Sequence, residues 1–295
     1  MKKPVFRGAS VAIVTPFKDG RINYDVLKKE IEFQIENSTD SITICGTTGE
    51  ASVMTDAEHR ECIAFAVKQV AGRVPVVAGT GSNDTAYALD LSLFAQEAGA
   101  DGLLLVTPYY NKTTQRGLVK HFTYIADRVD TPMILYNVPS RTGMSFTCDT
   151  YFELSKHPNI NGVKEAGGDF SLILNTMARC GDELNIWSGN DDQIVPLLAL
   201  GAKGIISVAS NIIPKQIHEI CRLFFEGNVA ESAAIQKKYA ELIRCLFIEV
   251  NPIPVKTAMR LIGFDVGNLR MPLFDMAPAN LEILKASLRD VGLIG

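Results

Sequence analysis

The chain has no paired-cysteine pattern, no basic run, no long apolar stretch and no metal-ligand spacing, and each absence removes a class of protein. Its six cysteines, Cys45, Cys62, Cys148, Cys180, Cys221 and Cys245, are scattered singly, several of them inside apolar segments. That argues against a disulfide framework and for free, buried thiols in a reducing cytoplasm. Basic and acidic residues nearly balance, 29 against 33 for a net charge of -4, so nucleic acid is not an expected partner. No run of about 18 apolar residues occurs, and no membrane span is expected. No apolar signal core follows the basic start Lys2-Lys3-Pro4. The four histidines, His59, His121, His157 and His218, stand far apart, so no metal site is expected. The chain also lacks a Gly-x-x-x-x-Gly-Lys-Ser/Thr loop and a serine nucleophile elbow, which disfavours nucleotide binding and Ser/His/Asp catalysis.

What is present is a rhythm. Short apolar runs at 11–15, 41–45, 74–78, 102–106, 133–137, 160–164, 185–188 and 204–208 read as strands. Amphipathic helical stretches such as 24–37, 56–70, 85–98 and 114–128 separate them. The strand runs are nearly continuous in apolar residues rather than alternating, as in a parallel sheet covered by helices. With 295 residues, 47% of them hydrophobic, the spacing predicts an α/β fold, a closed (β/α)8 TIM barrel with a C-terminal helical appendage. An open doubly wound sheet satisfies the same spacing. From Pro214 the pattern is helical only, at 214–225, 229–248, 253–261 and 278–291. No Pro/Ser-rich linker precedes the last three, so we expect a catalytic barrel over 1–225 and a helical region, 226–295, packed upon it.

In such a barrel, chemistry gathers where strands end. Val163-Lys164-Glu165 ends one strand, and the strand before it ends in Tyr136-Asn137. Their side chains would emerge at one rim, an arrangement suited to imine chemistry: a desolvated amine attacks a ketone and a phenol ferries protons. Lys164 alone could equally be a solvated strand-end lysine. The competing amines, Lys203 in a turn and Lys256 in the appendage, read as structural or solvated. Gly46-Thr47-Thr48-Gly49-Glu50 offers backbone N–H groups and hydroxyls to a carboxylate, or is simply a tight βα turn. Tyr109-Tyr110 could be aromatic packing, and Arg141 a surface arginine or a carboxylate clamp. Glu165 and Asp191 also follow strand ends; carboxylates there often only complement a helix dipole, and no role follows for them.

Four strings fall in one family's order: Gly46-Thr47-Thr48-Gly49-Glu50, Thr107-Pro108-Tyr109-Tyr110-Asn111, Tyr136-Asn137-Val138-Pro139-Ser140-Arg141-Thr142-Gly143 and Val163-Lys164-Glu165. From Gly8 into the C-terminal helices the chain resembles the dihydrodipicolinate synthase/N-acetylneuraminate lyase superfamily of Schiff-base-forming barrels. Thr47 and Arg141 fit its synthase branch, since the sialic acid lyases typically show Gly-Ser-Thr-Gly-Glu and lack that arginine. The resemblance implies a lyase that condenses pyruvate with L-aspartate 4-semialdehyde in the diaminopimelate route to lysine, with no cofactor beyond a covalent imine. It implies Lys164 as the imine-forming amine, Tyr136 as proton shuttle linked through Thr47 to Tyr110, and Tyr110 as a group reaching a neighbouring subunit's site. Thr48 and the main chain of Ile206 would hold the pyruvate carboxylate, and Arg141 the semialdehyde carboxylate. It further implies a homo-oligomer, a dimer of dimers. Asn83, Tyr109 and His59 match the family's lysine-inhibition site, whereas Ala51, Asp56 and Tyr87 replace its serine, histidine and glutamate, so lysine feedback is expected to be weak or absent. A lyase cleaving a sugar-derived 2-keto acid is the alternative enzyme, and a barrel kept only as a binding scaffold the alternative to catalysis.

Overall fold

Parallel strands buried on both faces must be covered inside and out, and the computed structural model, which describes residues 2–295, shows how the chain covers them. The barrel strands are β1 (Gly8–Ala12), β2 (Ser41–Ile44), β3 (Val76–Gly79), β4 (Gly102–Val106), β5 (Met133–Asn137), β6 (Ile160–Glu165), β7 (Asn185–Ser188) and β8 (Gly204–Ser207). They close into a barrel in the order β1-β8-β7-β6-β5-β4-β3-β2, every neighbour parallel, so the closed alternative is the one realised. The pleat then divides the side chains by parity. Ala12, Val77, Leu104, Ile134, Tyr136, Trp187 and Ile206 fill the barrel's interior. Val11, Ile42, Leu103, Leu135, Val163 and Ile186 face outward into a core shared with Leu27, Ile63, Leu91, Phe122 and Tyr151 of the surrounding helices.

Several helices begin where a side chain can accept from a first-turn N–H. Thr55 does so with Glu58 in a full capping box, and Asp84, Thr114, Thr147 and Asp169 each cap a following helix. Each such cap contributes on the order of 1 kcal/mol.

The ladder differs from the apolar runs at some ends. β1 covers residues 8–12 rather than 11–15: Ile13 N–H makes a last bond to Thr43 O at 3.1 Å, and Val14 N–H donates to Asn211 Oδ1 at 3.1 Å instead of to a strand. β2 stops before Cys45, whose φ of 55° cannot continue a strand. The helical stretch expected over 229–248 is two helices, Val229–Lys238 and Ala240–Cys245, parted at Tyr239 (φ -96°, ψ 4°).

The helices beyond Pro214 share one core with the barrel. Ala9 and Ile205 pack in a single cluster with Ile217, Leu242, Val255 and Leu284. All six cysteines are free, five buried and Cys148 half-buried. Among the described residues no helix is long and apolar enough to cross a membrane.

Candidate active site

β5 and β6 pair Tyr136 with Lys164, and β6 and β7 pair Lys164 with Trp187, so all three side chains point into the barrel at one level. Lys164 is 6% exposed, and its Nζ lies 4.5 Å from the centroid of the Tyr136 ring. Room for the amine depends on Gly189: a β-carbon there would stand 3.1 Å from Lys164 Cε and 2.7 Å from Ala166 Cβ. A larger residue at 189 would push the lysine stem off this path.

Above Tyr136 opens a cavity of about 380 Å³ whose wall includes Thr47, Tyr136, Arg141, His59, Tyr87 and Tyr109. Lys164 is not on that wall; its amine packs over the face of the Tyr136 ring. Among the described residues, Arg141 is the one cationic side chain lining the cavity, and no carboxylate lines it. His59 donates from Nε2 to Gly79 O at 2.8 Å, and burial lowers its pKa, which leaves the ring neutral near pH 7. The cavity therefore favours small anions.

Thr48 is buried and turned toward the C-terminal segment. Its Oγ1 accepts from Asn251 Nδ2 at 3.0 Å, while Asn251 O accepts from Arg141 Nη2, also at 3.0 Å. One residue thus ties together the two elements expected to bind carboxylates. Asn251 was missed by sequence reasoning; only its place before Pro252, a turn signal, marked it. Ile206 lies buried in the barrel wall on β8. Tyr110 stands apart. It adopts φ 66° and is 93% exposed, so within one chain it is not brought to Tyr136 or Thr47.

The carboxylates that sequence reasoning left without a role are both buried and bonded rather than solvated at helix starts. Glu165 points out of the barrel and accepts from Tyr151 Oη at 2.7 Å, Asn137 Nδ2 at 2.9 Å and Gly167 N at 2.7 Å. Burial raises its pKa against those donors. Asp191 accepts from Ser207 Oγ, from Val208 N at 3.0 Å and from Ala209 N at 3.3 Å. Burial raises its pKa too, opposed by these hydrogen bonds and by the charge of Lys164. Asp191 thereby fixes the backbone that follows β8, beside Ile206. Lys256, expected to be structural or solvated, is fully buried in an ion pair with Glu50. Among the described residues no group of His, Cys, Asp and Glu side chains could hold a metal ion.

A closed parallel barrel with a buried amine and phenol at the carboxyl ends of its strands defines an α/β-barrel enzyme. Residues 5–291 match the model of the dihydrodipicolinate synthetase family, and the chain belongs to that family. It is 54% identical over 292 residues to the 4-hydroxy-tetrahydrodipicolinate synthase of Thermoanaerobacter sp. (strain X514), covering 99% of this chain and 98% of the relative. The crystal structure of dihydrodipicolinate synthase from Aquifex aeolicus superposes with a TM-score of 0.96 at 45% identity, covering 98% of this chain and 99% of that one. The chloride-inhibited dihydrodipicolinate synthase of Acinetobacter baumannii, complexed with pyruvate, superposes with a TM-score of 0.95 at 42% identity, covering 98% and 99%. The chain is accordingly a lyase of this family.

Proposed function

We propose that the chain condenses pyruvate with L-aspartate 4-semialdehyde to 4-hydroxy-tetrahydrodipicolinate, in the diaminopimelate route to lysine, with pyruvate held as an imine on Lys164. Full-length likeness to synthases supports the reaction. The observation that carries the residue assignment is the buried amine of Lys164 against the Tyr136 ring inside a closed barrel.

Lys164 Nζ attacks the ketone carbon of pyruvate; water leaves and a C=N bond forms. A methyl proton is then lost to give the enamine, and Tyr136 carries protons in and out, relayed through Thr47 and Tyr110. Because Thr48 Oγ1 accepts from Asn251, its own hydroxyl proton is left for the pyruvate carboxylate, alongside its backbone N–H and the main chain at Ile206. Arg141 spends one donor on Asn251 O and keeps the rest for the semialdehyde carboxylate. The enamine carbon bonds to the aldehyde carbon. The semialdehyde's amino group then attacks the imine carbon, closes the ring and displaces Lys164 as a free amine. The imine itself serves as electron sink, so no external cofactor is required.

The working unit is a homo-oligomer, a dimer of dimers in the cytoplasm. Tyr110, 93% exposed on its own chain, suits a residue that completes a neighbour's site. Residues 1–225 form the catalytic barrel and 226–295 the helical region that packs on it. Borohydride reduction in the presence of pyruvate tests the assignment: a stable mass increase mapping to Lys164 is expected, absent in Lys164→Ala. Adduct formation at another lysine, or none at all, would refute it.

A further inference from the structure

Glu50 closes the Gly46–Glu50 loop in left-handed backbone, φ 55°, a conformation that a residue with a side chain keeps only when its surroundings enforce it. Its carboxylate is shielded from solvent and meets Lys256 Nζ at 2.8 Å, both side chains being 0% exposed. Nζ also donates to Thr15 O and Asn268 O, each at 3.0 Å, so its three protons are engaged. The second oxygen of Glu50 accepts from Arg270 N at 2.9 Å. Thr15 returns the contact by donating its hydroxyl to Gly49 O at 2.7 Å, and Glu50 N donates to Thr47 O at 3.0 Å. The Phe17 ring packs against both cations, 4.7 Å from Lys256 Nζ and 4.1 Å from Arg270 Cζ.

A buried ion pair is a weak source of stability, because apolar side chains of like volume often serve as well. Its charge-assisted hydrogen bonds do supply direction. Here they aim at the loop carrying Thr47 and Thr48, and the one from Lys256 comes from the helix Ile253–Leu261, just beyond Asn251, which bonds Thr48. Two anchors on one C-terminal segment, Asn251 and Lys256, thus hold neighbouring parts of one loop.

We propose that Glu50 and Lys256 are positioning residues for pyruvate: their buried ion pair sets where the Thr47–Thr48 loop stands relative to Lys164, without touching substrate. This rests on the assignment of Lys164 and Thr48 above. The pair makes the C-terminal helical region a working part of the pyruvate site.

The test compares wild type, Glu50→Gln and the apolar double variant Glu50→Leu/Lys256→Met by thermal denaturation, steady-state kinetics and borohydride trapping at limiting pyruvate. Misplacement of a binding group by a fraction of an ångström to 1 Å should raise the KM for pyruvate about tenfold or more in Glu50→Gln. Trapping at fixed low pyruvate should fall in proportion, while the KM for the semialdehyde stays within about twofold. In the double variant the melting temperature should return toward wild type while the KM for pyruvate stays raised. Wild-type KM in a folded double variant would overturn the proposal, as would equal rises in both KM values. If the double variant does not fold, Glu50→Gln decides alone: a wild-type KM for pyruvate in its folded fraction overturns the proposal. Wild type failing to trap pyruvate would instead remove the imine reading itself, whereas equal trapping in wild type and variants removes only the positioning role.

Discussion

Lys164 and Tyr136 face one another because β5 and β6 place them in register and the pleat turns both inward. Their duties separate chemically. In the proposed reaction the amine forms the covalent bond and the hydroxyl of Tyr136 moves protons, while the Tyr136 ring packs against the amine. Tyr136→Phe keeps the ring and removes the hydroxyl. It should lower kcat by about 10²- to 10⁴-fold, the range for loss of a general acid–base group, yet still give the reduced pyruvate adduct on Lys164. Steady-state turnover and intact-protein mass on the same sample check both halves. An unchanged kcat would place the proton relay elsewhere, and loss of the adduct would make the phenol necessary for imine formation.

At the level of elements, the eight strands and their order in the chain were legible because a parallel barrel writes continuous apolar runs at even spacing. The positions of Lys164 and Tyr136 were legible for the same reason, as strand ends carrying unexpected functional groups. Asn251 was not, because its partners Thr48 and Arg141 lie 203 and 110 residues away and no local pattern encodes such contacts. β1 starts earlier than its apolar run because Gly8, Ala9 and Ser10 pair without large apolar side chains, and it ends earlier because Val14 is buried after the chain has left the ladder, so burial alone does not report pairing. Glu30 shows the same limit. In Lys28-Lys29-Glu30 it resembles a solvated charge, yet helical spacing sets it on the buried stripe of the helix Tyr24–Glu36 with Val26, Leu27, Ile31 and Gln34. Neither carboxyl oxygen bonds another protein group, and burial raises its pKa well above the carboxylate range, only partly offset by the charge of Lys256. Below the unfolded value near 4.3 both states hold the proton, so pH does not matter there. Above it the unfolded chain releases the proton and the folded chain retains it, so wild-type stability falls with rising pH until the raised folded pKa is passed. Glu30→Leu removes that slope. It should raise the unfolding free energy by about 1–3 kcal/mol, more at pH 8 than at pH 5, as read by denaturant titration at both. A gain independent of pH, or a loss, would mean that Glu30 is satisfied in the fold.

For the molecule as a whole, one cavity joins the catalytic mouth to the wall bearing Ala51, His59 and Tyr87. A lysine bound there would need a carboxylate for its α-ammonium, and none among the described residues lines the cavity. The nearby acid Asp56 is engaged by Arg60 at 2.8 Å and by the Tyr87 hydroxyl. Lysine should therefore leave the activity unchanged up to millimolar concentration, and inhibition at micromolar lysine would contradict this account. The exposed Tyr110 bears on assembly more directly. If it acts in a partner's site, Lys164→Ala and Tyr110→Ala proteins are each inactive or nearly so, but for different reasons: one lacks the amine in its own barrel, the other lacks the tyrosine it lends. A mixed dimer has one barrel with Lys164 intact that receives Tyr110 from the Lys164→Ala partner. After equal mixing and subunit exchange, half the dimers are mixed and each holds one whole site, so activity should recover to about a quarter of wild type. Recovery should track the appearance of mixed dimers in native mass spectra. Mixed dimers that form without activity would show that Tyr110 serves its own chain, and the single barrel would then have to turn that side chain inward on binding pyruvate.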